Sequence, residues 1–175
     1  TTMGTLLPNR NYGQSDNLIS VSSNGFLTVG PTDYRFGDNS TVPDMHGPPN
    51  MVAPFWDDLD PSAGGDVYAW MDVANHRLII QFDEVRHWNS QLTETFQVVF
   101  HNENYYPTPT NDSPILFLYE DVSMPYGCTV GIENYYQDIG LEYLFDSNYA
   151  SNAAPIESSA AVLFTTVVPV DPGST

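Results

Sequence analysis

The densest chemistry in the sequence is the run Trp56-Asp57-Asp58-Leu59-Asp60-Pro61-Ser62-Ala63-Gly64-Gly65-Asp66. On an extended segment alternate residues share a side, so Asp58 and Asp60 fall together, and the Pro-Ser-Ala-Gly-Gly turn can bring Asp66 back towards them. Carboxylates that converge in one loop repel one another unless a hard cation neutralises them, and calcium accepts roughly six to eight oxygens in flexible geometry. Asp57, Asp58, Asp60 and Asp66 are therefore candidate Ca2+ ligands. Their order does not follow the EF-hand spacing, and the competing reading is that these carboxylates cap turn amides and face water.

Aromatic residues form the second set. A flat ring offers apolar area with a polar edge and loses little entropy on ordering, which suits a sugar face or a protein anchor. Trp88 and the pair Tyr105-Tyr106 lie among polar residues and loop-forming prolines, so they are the candidate exposed ligand-binding rings, whereas Trp56 and Trp70 are assigned to the core. Catalysis finds little support. His46, His76, His87 and His101 are present, but no His-Glu-x-x-His, Gly-x-Ser-x-Gly or Cys-His signature accompanies them, and carboxylate pairs arise by chance among 22 acidic residues. The expectation is a non-enzymatic domain with Cys128 as a buried, unreactive thiol.

These residues need a scaffold. The chain has 175 residues, with 4 Lys+Arg against 22 Asp+Glu and a net charge of −18. That acidity repels phosphate backbones and anionic headgroups, which excludes nucleic-acid binding and argues against direct membrane insertion. All four basic residues are arginines, so lysine-dependent chemistry, from Schiff bases to isopeptide staples, is also excluded. Apolar residues at 41% and aromatics at 13% are enough for a sizeable core. A lone cysteine rules out an internal disulfide.

β-branched and aromatic runs separated by Gly, Pro, Asn and Asp clusters, with no helical apolar spacing, predict an all-β chain. Asn24-Gly25 between two such runs predicts a tight hairpin over 17–30. Strands are expected over 51–56, 66–71, 77–85, 93–101, 115–119, 129–133, 141–145 and 160–168, with a turn at Ala74-Asn75-His76 and a surface loop from Pro31 to Pro49. The count suits an antiparallel β-sandwich of roughly ten strands with long Pro/Asp-rich loops, a single module over 1–168 followed by a linker or tail over 169–175. The ends read as those of a piece of a larger protein. The apolar C-terminal run containing Leu163, Phe164, Val167 and Val168 is expected to close a sheet, and its alternative role is self-association by strand addition to a second copy. Asn39-Ser-Thr and Asn111-Asp-Ser are glycosylation sequons.

Several segments in order resemble the NIDO domain, the extracellular module of nidogen, alpha-tectorin and mucin-type proteins, and its relatives in bacterial secreted proteins. They are Val21-Ser-Ser-Asn-Gly-Phe-Leu-Thr-Val-Gly30, Asn50-Met-Val-Ala-Pro-Phe-Trp-Asp-Asp-Leu-Asp60, Gly65-Asp-Val-Tyr68, Arg77-Leu-Ile-Ile-Gln-Phe82 with Trp88, Thr95-Phe-Gln-Val-Val-Phe100 and Thr129-Val-Gly-Ile-Glu133. The resemblance implies a secreted or cell-surface location and an adhesive role towards a protein or glycan on a cell surface or matrix. A self-associating filament or sheath subunit and a carbohydrate-binding module are the alternatives. The resemblance brings no catalytic residues.

Overall fold

Each apolar run named above becomes a strand in the structure, a computed structural model that describes residues 2–34 and 37–168, with side chains from residue 9 onward. The expected tail over 169–175 lies outside the described residues. In chain order the strands are β1 (Thr2–Asn11), β2 (Gln14–Val21), β3 (Leu27–Val29), β4 (Met51–Trp56), β5 (Asp66–Asp72), β6 (Arg77–Arg86), β7 (Thr93–His101), β8 (Ile115–Val122), β9 (Thr129–Glu133), β10 (Gly140–Phe145), β11 (Asn148–Tyr149) and β12 (Ala161–Phe164). They form two antiparallel sheets, one of seven strands in the order β1-β2-β3-β4-β9-β10-β11 and one of five in the order β12-β8-β7-β6-β5. The chain is a β-sandwich.

Two strands were not expected from the sequence, β1 and β11. The tight positive-φ turn lies at Tyr12-Gly13, where φ is 46° and 78° and Asn11 pairs with Gln14, as a two-residue hairpin requires. At the predicted Asn-Gly site the hairpin exists, but its loop is longer: Val21 pairs with Leu27, Ser22 N–H donates to Phe26 O at 2.9 Å, and of the two residues only Gly25 takes a positive φ. A side chain at Gly25 would fall on the Phe55 carbonyl, so β4 packs against bare backbone there. The C-terminal strand is shorter than expected and stops at Phe164.

The inner faces of the sheets meet in one core. Leu78, Ile80 and Phe82 of β6, Phe96, Val98 and Phe100 of β7, and Ile115, Phe117 and Tyr119 of β8 pack against Ile19, Leu27, Val52, Phe55, Val130 and Ile132 of the other sheet. Phe82 stacks on Phe96 at 4.6 Å, and Tyr119 reaches across to donate to Pro54 O at 2.7 Å. The loop after β3 folds over the outer face of the seven-stranded sheet. There Phe26, Val42, Met51, Ala53 and Trp56 make a second small core, with Tyr34 packed on it. Around β4 that sheet is covered on both faces by its own chain.

A candidate interaction face on the five-stranded sheet

The outer face of the five-stranded sheet is different. Side chains alternate along a strand, so residues between the core positions of β5 to β8 and β12 point away from the sandwich. The register then lines up Leu163, Leu116, Val99, Ile79 and Trp70, one from each strand in order. Every member of this row is apolar, and at ~4.8 Å per strand it runs roughly 19 Å across the sheet. Trp70 is 60% exposed and Leu163 54%, whereas the central Val99 is 2% exposed. The next row reads Ala161, Leu118, Gln97, Gln81 and Tyr68, with Gln97 Nε2 donating to Gln81 Oε1 at 2.8 Å.

Trp70 was expected in the core, and this is a correction. β5 is an edge strand with no neighbour beyond it, so its side chains are covered from one side at most, and Tyr68 and Trp70 stand on the outer face. The sequence does carry a signal for the face as a whole. Leu78-Ile79-Ile80, Val98-Val99-Phe100 and Ile115-Leu116-Phe117-Leu118 are continuous apolar runs, the pattern of strands covered on both faces, not of strands with one wet face.

At the β12 end the row opens into a groove of about 730 Å3 lined by His101, Tyr105, Tyr106, Pro107, Pro114, Leu116, Leu163, Val167 and Val168. Tyr105 stacks on His76 with ring centroids 3.3 Å apart, Tyr106 packs edge-on to His101 at 4.6 Å, and the Tyr106 hydroxyl donates to Asn75 O at 3.0 Å. These contacts hold the tyrosine loop to the end of the sheet. Burial, with the Arg77 charge adding to it, keeps the His101 imidazole below its usual value, so the groove wall is uncharged there. Tyr105 and Tyr106, read from the sequence as ligand rings, and Leu163, Val167 and Val168, read as self-association residues, thus share one groove. Phe164 does not. It faces the core and packs on Phe117 at 5.1 Å.

Trp88 is exposed as expected, but it follows the far end of β6, about ten residues and ~30 Å from the His101 end. Its N–H donates to Asp58 O at 2.8 Å. The acidic loop below it is fastened by a buried histidine. His87 Nδ1 lies 3.2 Å from Asp57 Oδ2, and its Nε2 lies 2.8 Å from Glu94 Oε1. Glu94, fully buried, also accepts from Ser123 N–H at 2.9 Å and Met124 N–H at 2.8 Å. Burial pulls the His87 imidazole down, yet the hydrogen bonds and charges of Asp57 and Glu94 outweigh it and leave it raised to about 9. Asp57 Oδ1 accepts from Asp58 N–H at 2.8 Å, and Asp60 Oδ1 accepts from Ser62 N–H at 3.0 Å. Burial and the neighbouring Asp57, Asp38 and Asp60 charges raise the Asp58 carboxyl.

Asp66 sits on β5, directly opposite Asp83. Among the described residues no three His, Cys, Asp or Glu side chains converge as a metal cage. Cys128 is fully buried, and burial followed by the Asp57 and Glu94 charges pushes its thiol far up, which leaves it unreactive. The Asn39 amide of the first sequon is tied to Gly127 O at 2.6 Å and Thr129 Oγ1 at 2.9 Å. Among the described residues no helix is long and apolar enough to cross a membrane.

Comparison with known proteins gives one family. A family model described as NIDO related matches residues 10–170. No curated protein and no solved structure matches the chain.

Proposed function

The chain belongs to the NIDO-related family, and on that premise we propose that it is a non-catalytic extracellular interaction module of a larger surface or secreted protein, docking a partner protein through the outer face of its five-stranded sheet. The row Leu163-Leu116-Val99-Ile79-Trp70 carries the reading. Scattered exposed apolar residues are ordinary on a folded surface, but a contiguous patch marks a contact site. From centre to centre the two rows span roughly 19 Å by 7 Å, and the tyrosine groove extends them at the β12 end. Branched aliphatic side chains dominate it, which suits a protein surface better than a sugar ring.

A photoreactive phenylalanine analogue at position 70 tests this in the full secreted protein, with the same analogue at exposed position 46 as control. A discrete adduct from position 70 that disappears in Leu163→Asp supports the face. Equal adducts from both positions, or indifference to Leu163→Asp, refutes it.

A second reading, self-association by strand addition, is favoured by one observation. The free edge of β5 is seven residues long and overhangs a cleft of about 490 Å3 lined by Val21, Val67, Ala69 and Ile80. A second copy could add a strand there, and sedimentation over a concentration series distinguishes this from a monomeric docking module.

A further inference from the structure

The docking face has a polarity that specifies its partner. Continuing along the strands beyond the Tyr68 row, the outer face ends in carboxylates. Asp66 and Asp83 are cross-strand partners on β5 and β6, and on β8 the exposed Glu120 is the extra residue where the register shifts between Tyr119, opposite Phe96, and Asp121, opposite Thr95. Tyr68 Oη donates to Asp66 Oδ2 at 3.2 Å and Gln81 Nε2 to Asp83 Oδ1 at 3.2 Å, so this acidic end is continuous with the apolar rows. Like charges directly opposite each other across a pair of strands are unfavourable, and among the described residues no arginine or histidine lies within ion-pair distance of these three. The other end of the face carries Arg77, already paired with Asp72 at 2.8 Å.

We propose that the occupant is a protein surface with an apolar stripe flanked on one side by lysine or arginine, seated so that the stripe covers the Leu163 to Trp70 row and the cations meet Asp66, Asp83 and Glu120. This rests on the docking reading above and adds the partner's chemistry to it. The stripe and the cationic row would stand about 14 Å apart along the strands, two residue pairs from the Trp70 row to the Asp66 row. A second copy fits poorly, because each chain brings a net charge of −18 and two such surfaces repel on approach. A basic partner gains from that same charge on approach, and its binding weakens with salt.

The chain itself can be titrated with three synthetic 18-residue helical peptides: an amphipathic leucine–lysine peptide, its leucine–glutamine counterpart, and a scrambled leucine–lysine sequence of equal composition. Amide chemical shifts and calorimetry supply the readout. The amphipathic cationic peptide is expected to shift the β5 to β8 amides. It should bind about tenfold more weakly to Trp70→Ser/Leu163→Ser, and several-fold more weakly to Asp66→Asn/Asp83→Asn/Glu120→Gln with a reduced salt slope. Equal binding of the scrambled peptide would mean attraction to the net charge alone and overturns the proposal. If the glutamine peptide binds as tightly and ignores the acidic variant, the basic partner falls while the docking face stands. If no peptide responds to Trp70→Ser/Leu163→Ser, the face falls too. A neutral oligosaccharide that shifts Trp70 where the peptides do not, or a dimer lost in that double variant, overturns it in favour of a glycan or a second copy.

Discussion

Raising the pH should unfasten the acidic loop, because His87 is the buried cation between Asp57 and Glu94. Its imidazole titrates near 9 in the folded chain against 6.5 when unfolded. A folded-state value above the unfolded one means stability that is whole below 6.5 and is lost as the pH climbs through 9. The gap of about 2.5 units corresponds to roughly 3 kcal/mol, on the order of 6–12 °C in Tm for a domain of this size. The assay is urea unfolding of the wild type and His87→Gln at intervals from about pH 6 to pH 10. Glutamine keeps a hydrogen-bonding side chain without a proton to lose, so subtracting its profile cancels every other titration. The wild-type advantage should shrink by about 3 kcal/mol across that range, with half of the change reached at about pH 7.8, midway between the two values. A difference that stays flat would refute the charged clamp and leave His87 as a neutral hydrogen-bonding residue.

Other outcomes follow from the same structure. Glu133 is fully buried, its Oε2 accepts from Asp44 N–H at 2.9 Å, and burial foremost raises its carboxyl to about 7. Stability should therefore fall by about 3 kcal/mol as the pH rises from 4.5 through 7, and Glu133→Gln should flatten that fall in chemical unfolding. Trp70→Ser and Leu163→Ser should each change stability by no more than ~1 kcal/mol, whereas Phe96→Ala, which deletes the ring between Phe55 and Phe82, should cost about 3–5 kcal/mol. Calcium at millimolar concentration should move Tm by less than about a degree, since Asp57 is paired with His87 and Asp60 is held by Ser62. A rise of several degrees that vanishes in Asp58→Asn/Asp60→Asn would show that the loop does bind the ion when folded.

What the sequence made legible was whatever depends on local pattern. β4, β7 and β9 begin and end where their β-branched and aromatic runs do, because punctuation by Gly, Pro and Asn coincides with the turns. β1 was not expected; it pairs back on β2 from the Tyr12-Gly13 turn, where Asn11 stands opposite Gln14. Trp70 was misplaced because residue type predicts burial only on average, while its position on the last strand of a sheet decides the outcome. The His87 clamp joins Asp57, Glu94 and the Ser123-Met124 amides across as many as 67 positions, and no spacing rule anticipates such a contact.

The contrast between the two outer faces is the strongest argument that the bare one is used. Both sheets have apolar outward residues. On the seven-stranded sheet the chain provides a proline-rich loop whose Val42 and Tyr34 close over Met51, Ala53 and Trp56, so the apolar outer surface around β4 is withdrawn from water. On the five-stranded sheet the loop of residues 102–114 could have served the same end, yet it packs at the sheet margin through His76 and His101 and walls a groove instead of closing one. A chain with 22 acidic residues places none of them in the two central rows, sets Asp66 and Asp83 opposite each other in the row beyond, and leaves Glu120 exposed at the register shift on β8. An apolar centre with a charged margin is the anatomy of a protein contact surface, in which burial supplies affinity and the rim supplies selectivity.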